Sequence, residues 1–204
     1  MNALSRISPL EREYEQSRQN FDNILGYLDG NEAFTMSHSE LERELEKKGR
    51  ELMRVLLQEH LNKRSPGQCE HPVKDVDGVE RKLTRLQPRK IETLFGTVTL
   101  ERAGYGLKGT ESLHPLDAEL NLPDERYSLE LRRRIAIEAA KSSFNETMDS
   151  IDRATGGHVP KRQIEELVKR AAQDFDTFYE TRHGTLGTNA DTGSVLVISV
   201  DGKG

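Results

Sequence analysis

Four sets of residues in this chain have the types and spacing for chemistry on metals or nucleic acid. Asp201 closes the run Val195-Leu196-Val197-Ile198-Ser199-Val200, whose apolar, β-branched character suits a strand covered on both faces. A carboxylate at the carboxyl end of such a strand stands where sheet proteins place metal ligands and catalytic groups. Two-metal phosphoryl transfer needs several oxygen ligands, so one carboxylate does not make a site; from spacing alone, Asp201-Gly202 reads as a plain strand-to-turn pair. Lys161, Arg162 and Gln163 follow Pro160 and fall in the first turn of a predicted helix. Arg and Gln carry the donors and acceptors that match guanine and adenine edges. Arg81, Lys82, Arg85, Arg89 and Lys90 form a third set, with no acid between them, and on an extended ribbon they could track a phosphate backbone. Arg132, Arg133 and Arg134 form the fourth. Consecutive helical residues point about 100° apart, so one or two of these face DNA or the acidic N-terminal helix while the rest are solvated.

Each set has a plainer reading. A short helix, a glycine turn and a second helix make an ordinary helical corner as well as a DNA reader. Charge runs are commonly solvated faces, although three basic clusters in a chain of net charge −5 are more suggestive than one. Other signals are poor. Cys69-x-His71 is too closely spaced to anchor zinc alone, and the prolines around His114 and Asp117 favour a structural loop over a metal site. There is no glycine loop with Lys and Ser/Thr to cradle a nucleotide phosphate.

Composition narrows the setting. The chain has 204 residues, enough for one or two domains, with 34% hydrophobic and 32% charged residues. With a mean hydropathy of −0.74, this suits several small helical modules better than one large core. The single cysteine rules out an internal disulfide and fits a reducing cytoplasm. MNALSRISPLERE lacks the apolar core of a signal peptide, and no apolar stretch approaches the roughly 20 residues of a membrane helix.

The elements that must position these residues follow from periodicity and breakers. Leu10, Tyr14, Phe21, Leu25 and Leu28 predict a helix over 10–28, ended at Gly30. Ser37-x-x-Glu40 and Ser39-x-x-Glu42 both fit a capping box for a second helix to about Asn62, with Leu41, Leu45, Leu52, Leu56 and His60 on one side. Residues 1–65 thus read as a helical hairpin, or as a coiled-coil arm through which the chain forms a homodimer. Residues 66–109 read as an antiparallel ribbon with hairpins at Asp77-Gly78 and Phe95-Gly96. Residues 110–182 hold an ordered connector, a helix from Ser128, another from Ser143 to Ala154, a Gly-Gly break and a helix from Pro160 to about Tyr179 whose apolar side includes Ile164, Leu167, Val168, Phe175 and Phe178. The last three elements make the helix-turn-helix candidate. Residues 183–193 read as a linker, and 194–204 as a strand.

Several stretches, in this order and spacing, resemble the ISKra-type family of bacterial insertion-sequence transposases. They are Thr93-Leu94-Phe95-Gly96-Thr97-Val98, Leu113-His114-Pro115-Leu116-Asp117 with Asn121-Leu122-Pro123, Leu131-Arg132-Arg133-Arg134 with Glu138-Ala139-Ala140, Pro160-Lys161-Arg162-Gln163 with Glu165-Glu166-Leu167, and Ser199-Val200-Asp201-Gly202-Lys203-Gly204. The likeness spans roughly residues 50–204. It implies a DDE-type enzyme in which a DNA-binding N-terminal region precedes a ribonuclease-H-like domain, Mg2+ drives DNA cleavage and strand transfer, and Asp201 is the first acidic metal ligand. The later ligands have no counterpart before Gly204. The fold expected is therefore α+β: helical N-terminal modules, a small antiparallel β ribbon and a helix-turn-helix, ending in the first strand of a truncated ribonuclease-H-like α/β domain. The function expected is recognition of an element's terminal inverted repeats, without cleavage by this chain. A free-standing helix-turn-helix regulator, and an interaction protein with solvated basic clusters, are the rivals.

Overall fold

The computed structural model describes residues 14–173. The strand over 194–204 with Asp201, the linker 183–193, the residues before Tyr14, and Phe175 and Phe178 lie outside the described residues. The chain divides into two compact units, Met1–Val168 and Lys169–Gly204; of the second, only the end of the last helix is described. The architecture is α+β, with helices flanking a three-stranded antiparallel sheet.

Two of the three N-terminal helices match the sequence pattern. Helix α1 (Glu15–Leu28) stops at Asp29. Gly30 ends it without a left-handed turn; its backbone is extended (φ −83°, ψ 151°) and caps a one-turn helix, α2 (Asn31–Thr35), that the pattern did not show. Helix α3 (His38–Arg64) uses the first of its two candidate capping boxes. The Ser37 hydroxyl accepts the Glu40 N–H, and the Glu40 carboxylate accepts the Ser37 N–H at 2.8 Å.

The N-terminus of α1 has no cap of its own. Glu59, near the far end of α3, supplies one: its carboxylate accepts the backbone N–H groups of Gln16 (3.1 Å) and Ser17 (3.0 Å) and the Ser17 hydroxyl. Orphan first-turn donors and the positive end of the helix dipole are thus met by one anion from the neighbouring helix. Glu59→Gln is expected to cost about 1 kcal/mol. Hydrogen exchange checks it: the Gln16 and Ser17 amides should lose protection while α3 keeps its own.

Helix α3 has two working sides. Leu52 and Leu56, from the predicted stripe, are half-buried and line a groove against α1. The fully buried positions are others, Val55 and Leu61; Leu61 packs into a core with Ile91, Val98, Leu100 and Leu116.

Strands β1 (Val73–Lys74), β2 (Glu80–Thr93) and β3 (Gly96–Gly106) lie in that order. The Asp77-Gly78 hairpin has arms of only two paired residues. Its loop closes on the Asp75 side chain instead of a tight two-residue turn: the carboxylate accepts the N–H groups of Asp77 (3.1 Å) and Val79 (2.9 Å), and Gly78 supplies φ +80°. In the second hairpin the turn is Leu94-Phe95, one residue earlier than predicted. Thr93 pairs with Gly96, which opens β3 at φ +122°. The arms extend from that turn back to Glu80 and on to Gly106.

A three-stranded sheet leaves β3 with an open edge. Alternate residues on it are satisfied one by one. The Gln58 amide of α3 bonds both the N–H and the C=O of Thr99, at 2.8 and 2.7 Å. Ser65 donates to the Glu101 carbonyl, Ala103 N–H donates to Pro66, and Tyr105 exchanges both bonds with Leu113. Helix α4 (Pro115–Glu119) packs against β3, and the segment 126–128 pairs alongside Glu92 on the other edge of β2.

Three further helices surround a second core. They are α5 (Leu129–Ala139), capped by Ser128; α6 (Phe144–Ala154), capped by a Ser143–Glu146 box; and α7 (Lys161–Ala171). Leu131 and Ile135, Ile151, Val159 of the connector, and Ile164 and Leu167 fill that core with Tyr127. No helix among the described residues is long and apolar enough to cross a membrane.

Candidate nucleic-acid interface

Between α6 and α7 the chain is folded tightly by one hydroxyl. Thr155, buried, donates to the Ile151 carbonyl (2.9 Å) and accepts the Gly157 N–H (3.1 Å). Val159 then plugs the core, and Pro160 leads into α7. Lys161 and Arg162 are exposed and Gln163 is half-buried. Glu166, one turn on, accepts from Arg162 at 3.3 Å and from Gln163 at 3.2 Å. Beside that carboxylate the Arg162 side chain stays 87% exposed.

The other basic residues divide sharply. Arg81 is drawn to Asp75 at 2.6 Å and steadies the β1–β2 loop. The Val79 N–H, followed by the Arg81 guanidinium, holds the Asp75 carboxyl below its usual range. Arg89 donates to Asp117 at 2.7 Å and to the carbonyls of Pro123 and Glu125, and Arg102 donates to the same Asp117 oxygen. Arg132 pairs with Glu125 at 2.9 Å rather than with the N-terminal helix. Arg81, Arg89 and Arg132 therefore tie elements together. Lys82, Arg85, Lys90, Arg133 and Arg134 are exposed, with Arg133 3.6 Å from Glu130 of its own helix. The basic ribbon is thus a thinner row of cations than its sequence suggested.

The prolines favour a loop around His114 and Asp117, but His114 stands at the N-cap of α4 and Asp117 lies in its first turn, because Pro115 fits the first helical position. His114 Nδ1 lies 3.2 Å from the Ala103 carbonyl oxygen; burial, then the Arg102 charge, lower its pKa. No group of three His, Cys, Asp or Glu side chains among the described residues could hold a metal. Asp201, the proposed metal ligand, lies outside those residues.

The structure also gathers residues that the sequence reading passed over. A cleft of about 680 Å³ lies between α3, the β2–β3 turn and the end of α6. Arg43, Lys47, Arg50 and Arg54 line it from α3, and Arg153 from α6. Their spacing of four, three and four residues is a helical stripe that was visible in the sequence beside the leucines. That Arg153 joins them was not.

The chain is 27% identical over 92 residues to a protein of Streptococcus gallolyticus described as "UPF0236 protein in vanSb 3'region". The match covers 45% of this chain and 20% of that protein, so the matched part spans about a fifth of the relative's length. No family model matches the chain, and no solved structure matches it.

Proposed function

We propose that this chain is the DNA-binding N-terminal part of a DDE-type transposase of the ISKra-type group, reading element ends through a helix-turn-helix made of α6 and α7. What carries the reading is the build of the α5–α7 unit. One core fixes three short helices, a connector is locked by Thr155, and α7 starts with exposed Lys161 and Arg162. In a helix-turn-helix the first residues of the second helix meet base edges and phosphates. Gln163, in the same turn, has the amide donor and acceptor that match an adenine edge, and its Nε2 is held by Glu166. The exposed Lys82, Arg85, Lys90, Arg133 and Arg134 supply further phosphate contacts. Phe21 and Leu25 on α1 and Met53 on α3 keep exposed apolar side chains that a second copy could cover, which supports dimerisation through these helices. The metal chemistry, with Asp201 as a Mg2+ ligand in a ribonuclease-H-like domain, rests on the resemblance alone.

Selection from a library of randomised duplexes tests the reading. The chain is expected to enrich a defined sequence that recurs, inverted, at the ends of the mobile element. Lys161→Ala/Arg162→Ala is expected to weaken binding to that sequence at least about 30-fold, since each of two good contacts carries about 1–3 kcal/mol. A chain that enriches no sequence, or a double variant that binds the selected duplex as tightly as the wild type, would overturn it.

A further inference from the structure

The cleft lined by Arg43, Lys47 and Arg153 has a charge balance that its composition hides. Its two acids are already neutralised from within. Glu46 pairs with Arg50 at 2.6 Å, and Glu51 takes a two-point grip from Arg54 at 2.6 and 2.7 Å. Arg50 is further committed to the carbonyls of Arg153 and Thr155, where it ties α3 to the end of α6. Arg43, Lys47 and Arg153 make no close ion pair among the described residues, and all three are exposed. Three positive charges thus face one open groove whose two lining acids are already paired, and a further anion, Glu40, feels the Arg43 charge from one turn back on α3.

The groove's form selects the kind of anion. Arg43 to Arg54 spans eleven residues of helix, about 16 Å at the helical rise. That is the axial length of about five base pairs, at 3.4 Å per phosphate on each strand. Phe95 stands exposed at the groove's edge beside Thr97, so the rim is not a closed pocket for a single phosphate ester. The floor is firm, because Gly156 N–H donates to the Leu94 carbonyl at 2.8 Å and Arg50 pins the connector. A row of paired and unpaired cations on a rigid helix, open along its length, fits an extended polyanion with regularly spaced charges.

We propose that this cleft is a second, sequence-independent DNA site, in which Arg43, Lys47 and Arg153 contact the phosphate backbone of duplex DNA. The inference rests on the DNA-binding reading above and adds a site that reading does not contain. Such contacts position the protein without reading bases, and each phosphate neutralised adds to the salt dependence.

The test is fluorescence anisotropy with a labelled random-sequence duplex over a salt series, using the full chain. The variant Arg43→Gln/Lys47→Gln/Arg153→Gln is compared with a charge-matched control, Lys74→Gln/Lys108→Gln/Lys141→Gln. Thermal melts confirm that both are folded. The cleft variant is expected to bind at least about 10-fold more weakly, with the log–log salt slope reduced by about 2 to 3, at roughly 0.9 per lost contact. The control is expected to change both far less. A cleft variant within twofold of wild type, or a control that loses as much, overturns this site while leaving the DNA-binding reading standing. A wild-type chain that binds no duplex at low salt overturns both. Tighter binding to poly-L-glutamate than to the duplex assigns the cleft to an acidic protein instead, and overturns the site as proposed.

Discussion

Asp117→Ala is expected to destabilise the folded chain by about 3–5 kcal/mol, the cost of leaving buried charges without their partner. One carboxylate oxygen, Oδ2, receives Arg89 from β2 and Arg102 from β3, and the side chains involved are only 12%, 16% and 17% exposed. Removing the carboxylate leaves two guanidinium groups facing each other in a poorly solvated space. Arg89 keeps its bonds to the Pro123 and Glu125 carbonyls, but Arg102 Nε already lacks a hydrogen-bond partner and loses the ion pair as well. Asp117→Asn retains shape and an acceptor and should cost less. Arg89→Met/Arg102→Met/Asp117→Leu removes all three charges together and should lie much closer to wild type, because an apolar replacement has no desolvation penalty to offset. Urea unfolding measures all three. An alanine variant within 1 kcal/mol of wild type would show that water screens the cluster. The same geometry makes Arg89 a cross-link between β2, α4 and the 123–125 segment.

Gly156→Ala is expected to cost about 3 kcal/mol, at the upper end for an overpacked site. A Cβ there would lie 2.4 Å from the carbonyl oxygen of Phe95, 2.5 Å from its carbon and 2.9 Å from the nitrogen of Gly96. All three are backbone atoms, so no rotamer change relieves the clash. The α6–α7 connector must lift from the hairpin turn, losing the Gly156–Leu94 hydrogen bond and disturbing the cleft between them. Gly49→Ala provides the opposite sign. Gly49 lies within α3 with nothing within 4 Å of its Cβ position, so alanine should stabilise by about 0.5–1 kcal/mol. Thermal melts of the two variants should move in opposite directions; equal melting temperatures would mean that the turn and connector do not hold each other in place.

Local signals are the most legible in this sequence. Ser37 and Glu40 cap a helix whatever packs on it, and Ser128 starts α5 where the pattern put it. The Ser143–Glu146 box was equally present in the sequence and is formed. Hairpin details were read less well, because side chains took part in the turns. Asp75 closes its loop by its own carboxylate, and Gly96 is spent on opening β3 rather than on the turn. The leucine stripe on α3 pointed to α1, whereas the buried side of that helix is set by β3, which no periodicity along α3 can announce.

By itself, the sequence determined the order of the long elements but not the one-turn helices α2 and α4, together with most helix starts, the α+β mixture and the existence of basic clusters, since each depends on residues within a few positions of one another. Only the tertiary structure decided which cations are available. Arg89 and Asp117 are 28 residues apart in sequence, and Arg50 and Thr155 are 105 apart. Whether an arginine is an anchor or a free charge depends on the acid or carbonyl folded against it, so identical residues in one basic run have opposite roles. The cleft formed by α3 and the end of α6 arises in the same way, as long-range packing gathers three cations that form no close ion pair among the described residues.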